Sequence, residues 1–270
     1  MSWKLKFIFC SSLLILNSSL LHAQDTLQPK PTFNWDYIHS GFMDAKDQII
    51  APLHWDAVDW LRVGAVVSSE VVLIYGGEDK NIQQWAQNIR SPFTNTLENA
   101  IGDPFGSGLD AAIIVGGSYV GGCIFHKDKP KLFAMMAAKS LVIAGSTTTV
   151  IKYIAERHRP YQDNPANPEN WDGPMGNFSH VSFPSGHTTV AFSLATMIAL
   201  EYPRPIIIPI LVYGFAACTA FGRINGNFHW GSDVLLGACI GYFTSLLVFN
   251  HNNWGKLQRK KKIMEQAPNP

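Results

Sequence analysis

Residues 205–222, PIIIPILVYGFAACTAFG, form an uncharged apolar run about as long as a helix that crosses a bilayer. A second run, residues 233–249, has a similar length, and its only charged group is its first residue, Asp233. Long apolar stretches with few or no charges predict transmembrane helices. The two runs therefore indicate a helical protein that is embedded in a membrane.

Four further apolar runs precede these two along the chain. They cover roughly residues 60–76, 109–125, 133–151 and 187–201. The first contains Arg62 and Glu70 and is the poorest candidate for a span, whereas Lys139 within the third needs a partner or a path to the membrane surface. The pattern predicts an all-α fold, a helical bundle of about six apolar helices, most of them transmembrane.

The composition supports a membrane protein and excludes some partners. Charged residues make up 15% of the 270 residues, below the usual quarter, while 47% are hydrophobic. The nearly balanced net charge of +1 suggests neither a basic face for nucleic acid nor an acidic partner. The three cysteines that follow residue 23 each lie in an apolar run, which indicates packing rather than disulfide bonding.

A first polar cluster interrupts this apolar pattern at residues 184–187, Pro-Ser-Gly-His, just before the apolar residues 187–200. The first backbone N–H groups of a helix have no partner within the helix and lie at its positive dipole end, so they bind anions. Ser185 can cap the helix or donate to the anion, and Gly186 lets the backbone approach closely. The alternative is an ordinary capping serine followed by a surface histidine.

A second cluster follows the run 205–222 and consists of Arg223, His229 and Asp233. His229 and Asp233 are four residues apart, so they lie on one face of a helical turn. A carboxylate that binds one imidazole nitrogen makes the other a better nucleophile or base. Arg223 offers a fork of donors that suits phosphate oxygens. Simple helix capping by His229 and Asp233 is the alternative.

A third cluster, Lys152 and Arg159 followed by Pro160, ends the run 133–151. Seven residues are close to two helical turns, so both cations can face the same way. Basic residues at a helix end also complement the dipole or anchor the helix at the membrane surface. Arg157 and His158 are expected to be solvated members of this run.

In this order and spacing the three clusters resemble the three-part signature of the type 2 phosphatidic acid phosphatase superfamily. That family includes membrane lipid phosphatases, soluble bacterial acid phosphatases and vanadium haloperoxidases. The resemblance is close over the C-terminal half of the chain. One position departs from it, because Gly222 stands where the family usually has serine. We expect this change to affect a hydrogen bond more than activity.

The resemblance implies a role for each of these residues. His229 would attack phosphorus and form a phosphohistidine, Asp233 would orient it, and His187 would protonate the leaving group. The equatorial phosphate oxygens would be held by Lys152, Arg159, Ser185, Gly186 and Arg223. Phosphoryl transfer needs mainly positioning and charge neutralisation, which fixed cations supply, so neither a metal nor a cofactor is expected.

The distribution of Lys and Arg predicts the orientation. Basic residues lie before the third apolar run, between the fourth and fifth, and after the last: Lys127, Lys129, Lys131, Arg204, Lys256, Arg259, Lys260, Lys261 and Lys262. The positive-inside rule makes that side cytoplasmic, and the three clusters then meet on the opposite, periplasmic side.

These patterns divide the chain into four parts. Residues 1–23 are expected to form a signal peptide or N-terminal membrane segment, and residues 24–57 a polar, aromatic periplasmic linker with an interfacial helix. Residues 58–250 form the helical domain and residues 251–270 a basic cytoplasmic tail. If the signal is cleaved, the chain starts outside the membrane, and a cytoplasmic tail then requires an odd number of spans. This condition is met only if the run 60–76 does not cross the membrane.

The resulting hypothesis is a metal-independent phosphatase of the bacterial inner membrane that hydrolyses a lipid phosphate or diphosphate monoester at the outer face. Its expected partners are that substrate and the membrane, without nucleic acid or an obligate protein partner. The first alternative is a soluble periplasmic acid phosphatase of broad specificity. Further alternatives are a vanadium haloperoxidase and a non-enzymatic binder of lipid phosphates.

Overall fold

A computed structural model describes residues 32–266 except for residues 175, 177 and 178, and it describes side chains as far as residue 252. The signal or membrane segment expected at residues 1–23 lies outside the described residues. So do the side chains of the basic residues that follow the last apolar run.

The described part of the chain consists of helices and loops, without a strand. Its helices are α1 (Trp35–Ile50), α2 (Ala57–Tyr75), α3 (Glu78–Asn88), α4 (Pro92–Leu97), α5 (Asp103–Gly106), α6 (Gly108–Ile124), α7 (Asp128–Ala155), α8 (Gly186–Glu201), α9 (Ile207–Asn225) and α10 (Gly231–Gln266). A 3-10 turn, Ala51–Leu53, follows α1, and a π-helical turn, Glu98–Gly102, joins α4 to α5. Each of the six apolar runs corresponds to one of these helices, so the all-α prediction is confirmed.

Three described helices are long and apolar enough to cross a membrane. They are α7, α9 and the first part of α10, Gly231–Asn252. A fourth crossing exists if α6 and the segment Pro92–Gly106 before it, which are bent by 58° at their junction, form one broken span. Helix α2 is not among these candidates, and α8 has only 16 residues. The described part of the chain therefore contains three or four candidate spans.

Helix α8 lies in the middle of the bundle and contacts α7, α9 and α10. Its side chains Ala191, Leu194, Ala195 and Met197 are completely buried. Glycines of α10 permit the close approach of α8, since a Cβ at Gly237 would lie 2.5 Å from the Ser185 carbonyl oxygen. This contact brings the first turns of α8 and α10 together, and the first turn of each carries part of the polar clusters.

Helix α1 packs against α7 and α10 through polar side chains. The Lys139 Nζ of α7 forms an ion pair with Asp44 Oδ2 of α1 at 2.6 Å, which provides the partner that a lysine in an apolar run requires. Gln48 of α1 donates to Thr147 Oγ1 of α7 and accepts a hydrogen bond from Thr244 of α10. These contacts attach residues 35–50 to the bundle. An interfacial position for this helix stays a prediction.

Candidate active site

The N-terminus of α8 forms one wall of the site. Ser185 caps the helix, with its Oγ accepting hydrogen bonds from the backbone N–H and the hydroxyl of Thr188. The backbone N–H of Ser185 donates to the Asp233 carbonyl oxygen at 2.8 Å, which ties α8 to α10. A Cβ at Gly186 would have a single neighbour, Lys152 Cε at 3.9 Å. The first turn of α8 thus adjoins the Lys152 side chain, as an anion site requires.

His229 and Asp233 form the hydrogen-bonded pair that their spacing predicts. His229 Nδ1 lies 3.3 Å from Asp233 Oδ2, and only 4% of His229 is exposed. The same carboxylate oxygen accepts hydrogen bonds from the Ser182 hydroxyl and from the Trp230 backbone N–H. Burial lowers the pKa of His229 to about 4, so its imidazole is neutral near pH 7. With its Nδ1–H held by Asp233, Nε2 carries the free lone pair.

The cations of the third cluster act on this pair. Lys152 Nζ donates to the carbonyl oxygens of Val181 and Ser182 at 2.6 and 3.2 Å. The charges of Lys152 and Arg159 both contribute to the lowered pKa of His229. The Arg159 guanidinium has no hydrogen-bond or ion-pair partner within the described part of the chain. Its donors are therefore available for an anion.

Arg223 completes the set of cations, but two carboxylates already contact it. Its Nη2 lies 2.7 Å from Glu98 Oε1 and 3.1 Å from Asp103 Oδ1. Its buried Nε has no acceptor among the described residues. A buried guanidinium N–H without an acceptor is costly, and a bound anion would supply the acceptor that this donor needs.

His187 lies in the first turn of α8, with Nε2 3.3 Å from Asp103 Oδ1. Its side chain is 38% exposed, in contrast to the buried His229. Asp103 and Arg223 also line a cavity of about 330 Å³ together with Arg90, Asn95, Glu98, Asn99 and Phe228. The two histidines thus differ in environment, as a buried nucleophile and an accessible proton donor would.

The structure accounts for Gly222, the position that departs from the family pattern. A Cβ at residue 222 would lie 2.9 Å from Glu98 Cγ, closer than real Cβ contacts allow. Glu98 lies far away in the sequence, and sequence analysis did not identify it. Glycine at 222 is therefore the residue that leaves room for the Glu98–Arg223 ion pair.

Replacing Gly222 by serine is expected to lower the free energy of unfolding by about 1–3 kcal/mol, because the added atoms overlap the Glu98 side chain. Gly214→Ser in the same helix is the matched control, since a Cβ there meets nothing within 4 Å. Thermal unfolding in detergent measures the stability of the two variants. The Gly222→Ser penalty should shrink in a Glu98→Ala background, and an equal penalty in both backgrounds would contradict the steric explanation.

Arg157 is completely buried, so the expectation that it is solvated is wrong. Its Nη1 donates to Asp233 Oδ1 and to Ser232 Oγ, both at 2.6 Å, and its Nη2 donates to Asp79 Oδ2 at 2.8 Å. Its guanidinium also lies over the ring of Trp171. Asp79, in the first turn of α3, accepts from the Ser232 backbone N–H as well. This network fixes Asp233 from the side opposite His229.

His158 is also more enclosed than expected, with 13% of its side chain exposed. Its Nδ1 lies 2.9 Å from Asp163 Oδ1, and its backbone carbonyl accepts from the Trp230 indole N–H. Ser182, Asp79, Glu98 and Arg157 are thus the residues around the site that sequence analysis missed or misjudged. The buried Asp79 and Glu98 lie in segments with polar, helical sequences that resemble solvated ones.

Residues 132–256 match the family model of the PAP2 superfamily. A curated relative, lipid A 1-phosphatase from Porphyromonas gingivalis, is 36% identical over 135 residues. This match covers 46% of the chain, which spans only 27% of the length of that relative.

Two solved structures align with parts of this chain. One is LpxE from Aquifex aeolicus, with a TM-score of 0.44 and 23% identity, covering 63% of this chain and 93% of that one. The other is a transmembrane PAP2 type phosphatidylglycerolphosphate phosphatase from Bacillus subtilis, with a TM-score of 0.49 and 20% identity. The alignment covers 83% of this chain and 96% of the Bacillus subtilis chain.

Proposed function

We propose that this chain, whose residues 132–256 belong to the PAP2 superfamily, is a membrane phosphatase that hydrolyses a lipid phosphate or diphosphate monoester through a phosphohistidine. One observation carries the proposal. The site combines a neutral His229, hydrogen-bonded to the Asp233 carboxylate, with arginine N–H donors that have no acceptor among the described residues. Arg223 Nε and the Arg159 guanidinium have no acceptors among the described residues. A phosphate bound between them and the α8 N-terminus would supply those acceptors.

The chemical step follows from the geometry. His229 Nε2 attacks phosphorus while the bond from phosphorus to the leaving oxygen breaks, and His187 gives its proton to that oxygen. Asp233, held by Arg157 and Ser182, stabilises the cationic imidazole that forms. Water then attacks the phosphohistidine, with His187 taking the water proton, and inorganic phosphate leaves.

The cations lower the barrier by neutralising charge on the transferred group. Lys152 and Arg159 lie close enough to His229 to affect its pKa, and Arg223 acts on His187 in the same way. Fixed positive charges in a water-poor site stabilise the transition state without reorganisation. The chemistry at phosphorus therefore requires no metal ion on the phosphate.

The membrane geometry suggests where the substrate comes from. The distribution of Lys and Arg directs the three clusters toward the periplasmic side, so we place the site at the outer face of the inner membrane. Helices α7, α9 and α10 favour this membrane enzyme over the soluble acid phosphatase. Because the curated relative is a lipid A 1-phosphatase, lipid A is the first substrate to test.

A substrate panel tests this proposal. Phosphate release is measured in detergent from lipid A, phosphatidate, phosphatidylglycerophosphate, an isoprenoid diphosphate and a small soluble phosphate ester. We expect kcat/KM for one lipid phosphate to exceed that for the soluble ester by at least about tenfold, since lipid contacts add binding energy. Equal or better hydrolysis of the soluble ester would support the acid phosphatase instead.

The pH dependence of kcat/KM is expected to place the optimum on the acid side of neutrality. With a pKa of about 4, His229 stays neutral and able to attack until the pH falls to that value. Burial and the charge of Arg223 lower the pKa of His187 below its ordinary value, so the general acid loses its proton as the pH rises through that pKa.

Initial rates with one lipid substrate, measured from about pH 3 to pH 9, give this profile. The His187→Gln variant should lose the alkaline limb and retain a low, flatter rate. A wild-type profile that keeps rising above neutrality would contradict the role of His187 as general acid.

A further inference from the structure

A cluster of imidazoles and carboxylates lies in the loop that joins α7 to α8, outside the set of groups used for phosphoryl transfer. His158, Asp172 and His180 each offer one ligand atom, and these atoms all lie within 4.8 Å of one another. Asp172 Oδ1 is 3.3 Å from His158 Nε2, and Asp172 Oδ2 contacts His180 Nδ1. The two imidazole rings lie against each other, with centroids 3.7 Å apart.

A second carboxylate lies behind the cluster and fixes one of its imidazoles. Asp163 Oδ1 lies 2.9 Å from His158 Nδ1, the nitrogen that faces away from Asp172. The Asn170 side-chain amide donates to both oxygens of Asp163. A histidine that binds a metal through one nitrogen almost always donates its other N–H to such a partner. With Nδ1–H donated to Asp163, His158 would direct the lone pair of Nε2 toward a metal ion shared with Asp172.

The charges of the cluster also favour a cation. The cluster contains two carboxylates, those of Asp163 and Asp172. Arg157, which directly precedes His158, is already paired with Asp79 and Asp233. A divalent ion would balance the two carboxylates.

We propose that His158, Asp172 and His180 bind one divalent transition-metal ion of the zinc type, with Asp163 orienting His158. Two imidazole nitrogens and one carboxylate suit zinc, whereas Mg²⁺ and Ca²⁺ prefer oxygen ligands alone. Zinc bonds of about 2.0–2.2 Å keep ligand atoms within about 4.4 Å of one another, so small side-chain rotations are sufficient. The fourth position is open to water.

The ion would fix the loop that carries residues of the phosphate site. His158 directly precedes Arg159, and His180 lies two residues before Ser182, which donates to Asp233. Backbone hydrogen bonds already join these segments, from His158 N–H to Asn170 O and from Ser182 N–H to Arg157 O. The ion acts as a cross-link between chain segments and takes no part in the chemistry at phosphorus.

Zinc binding to the full-length protein tests this inference without any substrate, so its outcome is independent of the proposed hydrolysis. Protein without a polyhistidine tag is stripped with a chelator and titrated with Zn²⁺ in competition with a chromophoric zinc indicator. We expect one tight equivalent for the wild type and for His54→Ala, an exposed histidine outside the cluster. His180→Ala and the isosteric Asp172→Asn should lose it.

Asp163→Asn gives the sharper test, because it leaves all three ligands in place. We expect it to keep one equivalent of Zn²⁺ but to weaken the affinity by about 10–100-fold. Thermal unfolding in chelator shows whether each variant is folded before the titration. A wild type without a tight equivalent, or an Asp172→Asn variant that binds as tightly as the wild type, would overturn the inference.

Discussion

His229→Ala is expected to reduce phosphate release from the preferred lipid substrate by about 10⁴-fold or more, since the nucleophile of a covalent mechanism is lost. The loss should fall on kcat, with little change in KM, because Lys152, Arg159, Arg223 and the N-terminus of α8 still hold the phosphate. A variant with a raised KM and a near-normal kcat would show that His229 only binds substrate.

Trapping the intermediate separates a nucleophile from a general base. Wild-type protein quenched during turnover of a ³²P-labelled substrate should carry label that is stable in alkali and lost in acid, as a phosphoramidate is. His229→Ala should carry none, whereas His39→Ala, an exposed histidine on α1, should match the wild type. Label that persists in His229→Ala would place the covalent step on another residue.

The His229→Ala variant is expected to fold, which keeps the comparison interpretable. Asp233 retains its ion pair with Arg157 and its hydrogen bonds from Ser182 and the Trp230 backbone N–H. The carboxylate therefore does not become an unpaired buried charge. Thermal unfolding of the variant in detergent should confirm a cooperative transition near that of the wild type.

Arg157→Met is expected to destabilise the protein by about 3–5 kcal/mol, because it removes the cation from a buried network of carboxylates. Arg157 is completely buried and pairs with Asp79 and Asp233, which are also completely buried. Methionine fills part of the volume but leaves both carboxylates without their cation. Such charges cannot be solvated by water in the interior, so their desolvation is no longer compensated.

Arg62→Met is the matched control for this substitution. Arg62 forms a partly exposed pair with Asp59 three residues away on α2, and pairs of this kind contribute at most about 1 kcal/mol. Denaturant unfolding in detergent should therefore show a loss of unfolding free energy for Arg157→Met that is several times the loss for Arg62→Met. Equal stabilities of Arg157→Met and Arg62→Met would contradict the buried network. Activity of Arg157→Met should also fall, because Asp233 loses its support.

The sequence by itself determined the six apolar helices and part of the composition of the candidate site. Apolar runs such as 205–222 and 233–249 form helices in a membrane, because the bilayer core offers no water and every backbone polar group must be satisfied within the segment. The His229–Asp233 pair was also predictable, since both members lie within one helical turn. Local spacing is sufficient where the interacting groups are near neighbours along the chain.

Only the tertiary structure decided which distant residues support that site. Arg157 meets Asp79 across 78 positions, and Arg223 meets Glu98 across 125. In the sequence Asp79, Glu98 and Arg157 lie among polar neighbours and have the pattern of solvated charges. Periodicity reports which face of an element is apolar, but it carries no information about which element lies opposite. Helix packing supplied that information by burying each charge beside its counter-ion, where desolvation makes an unpaired charge too costly to persist.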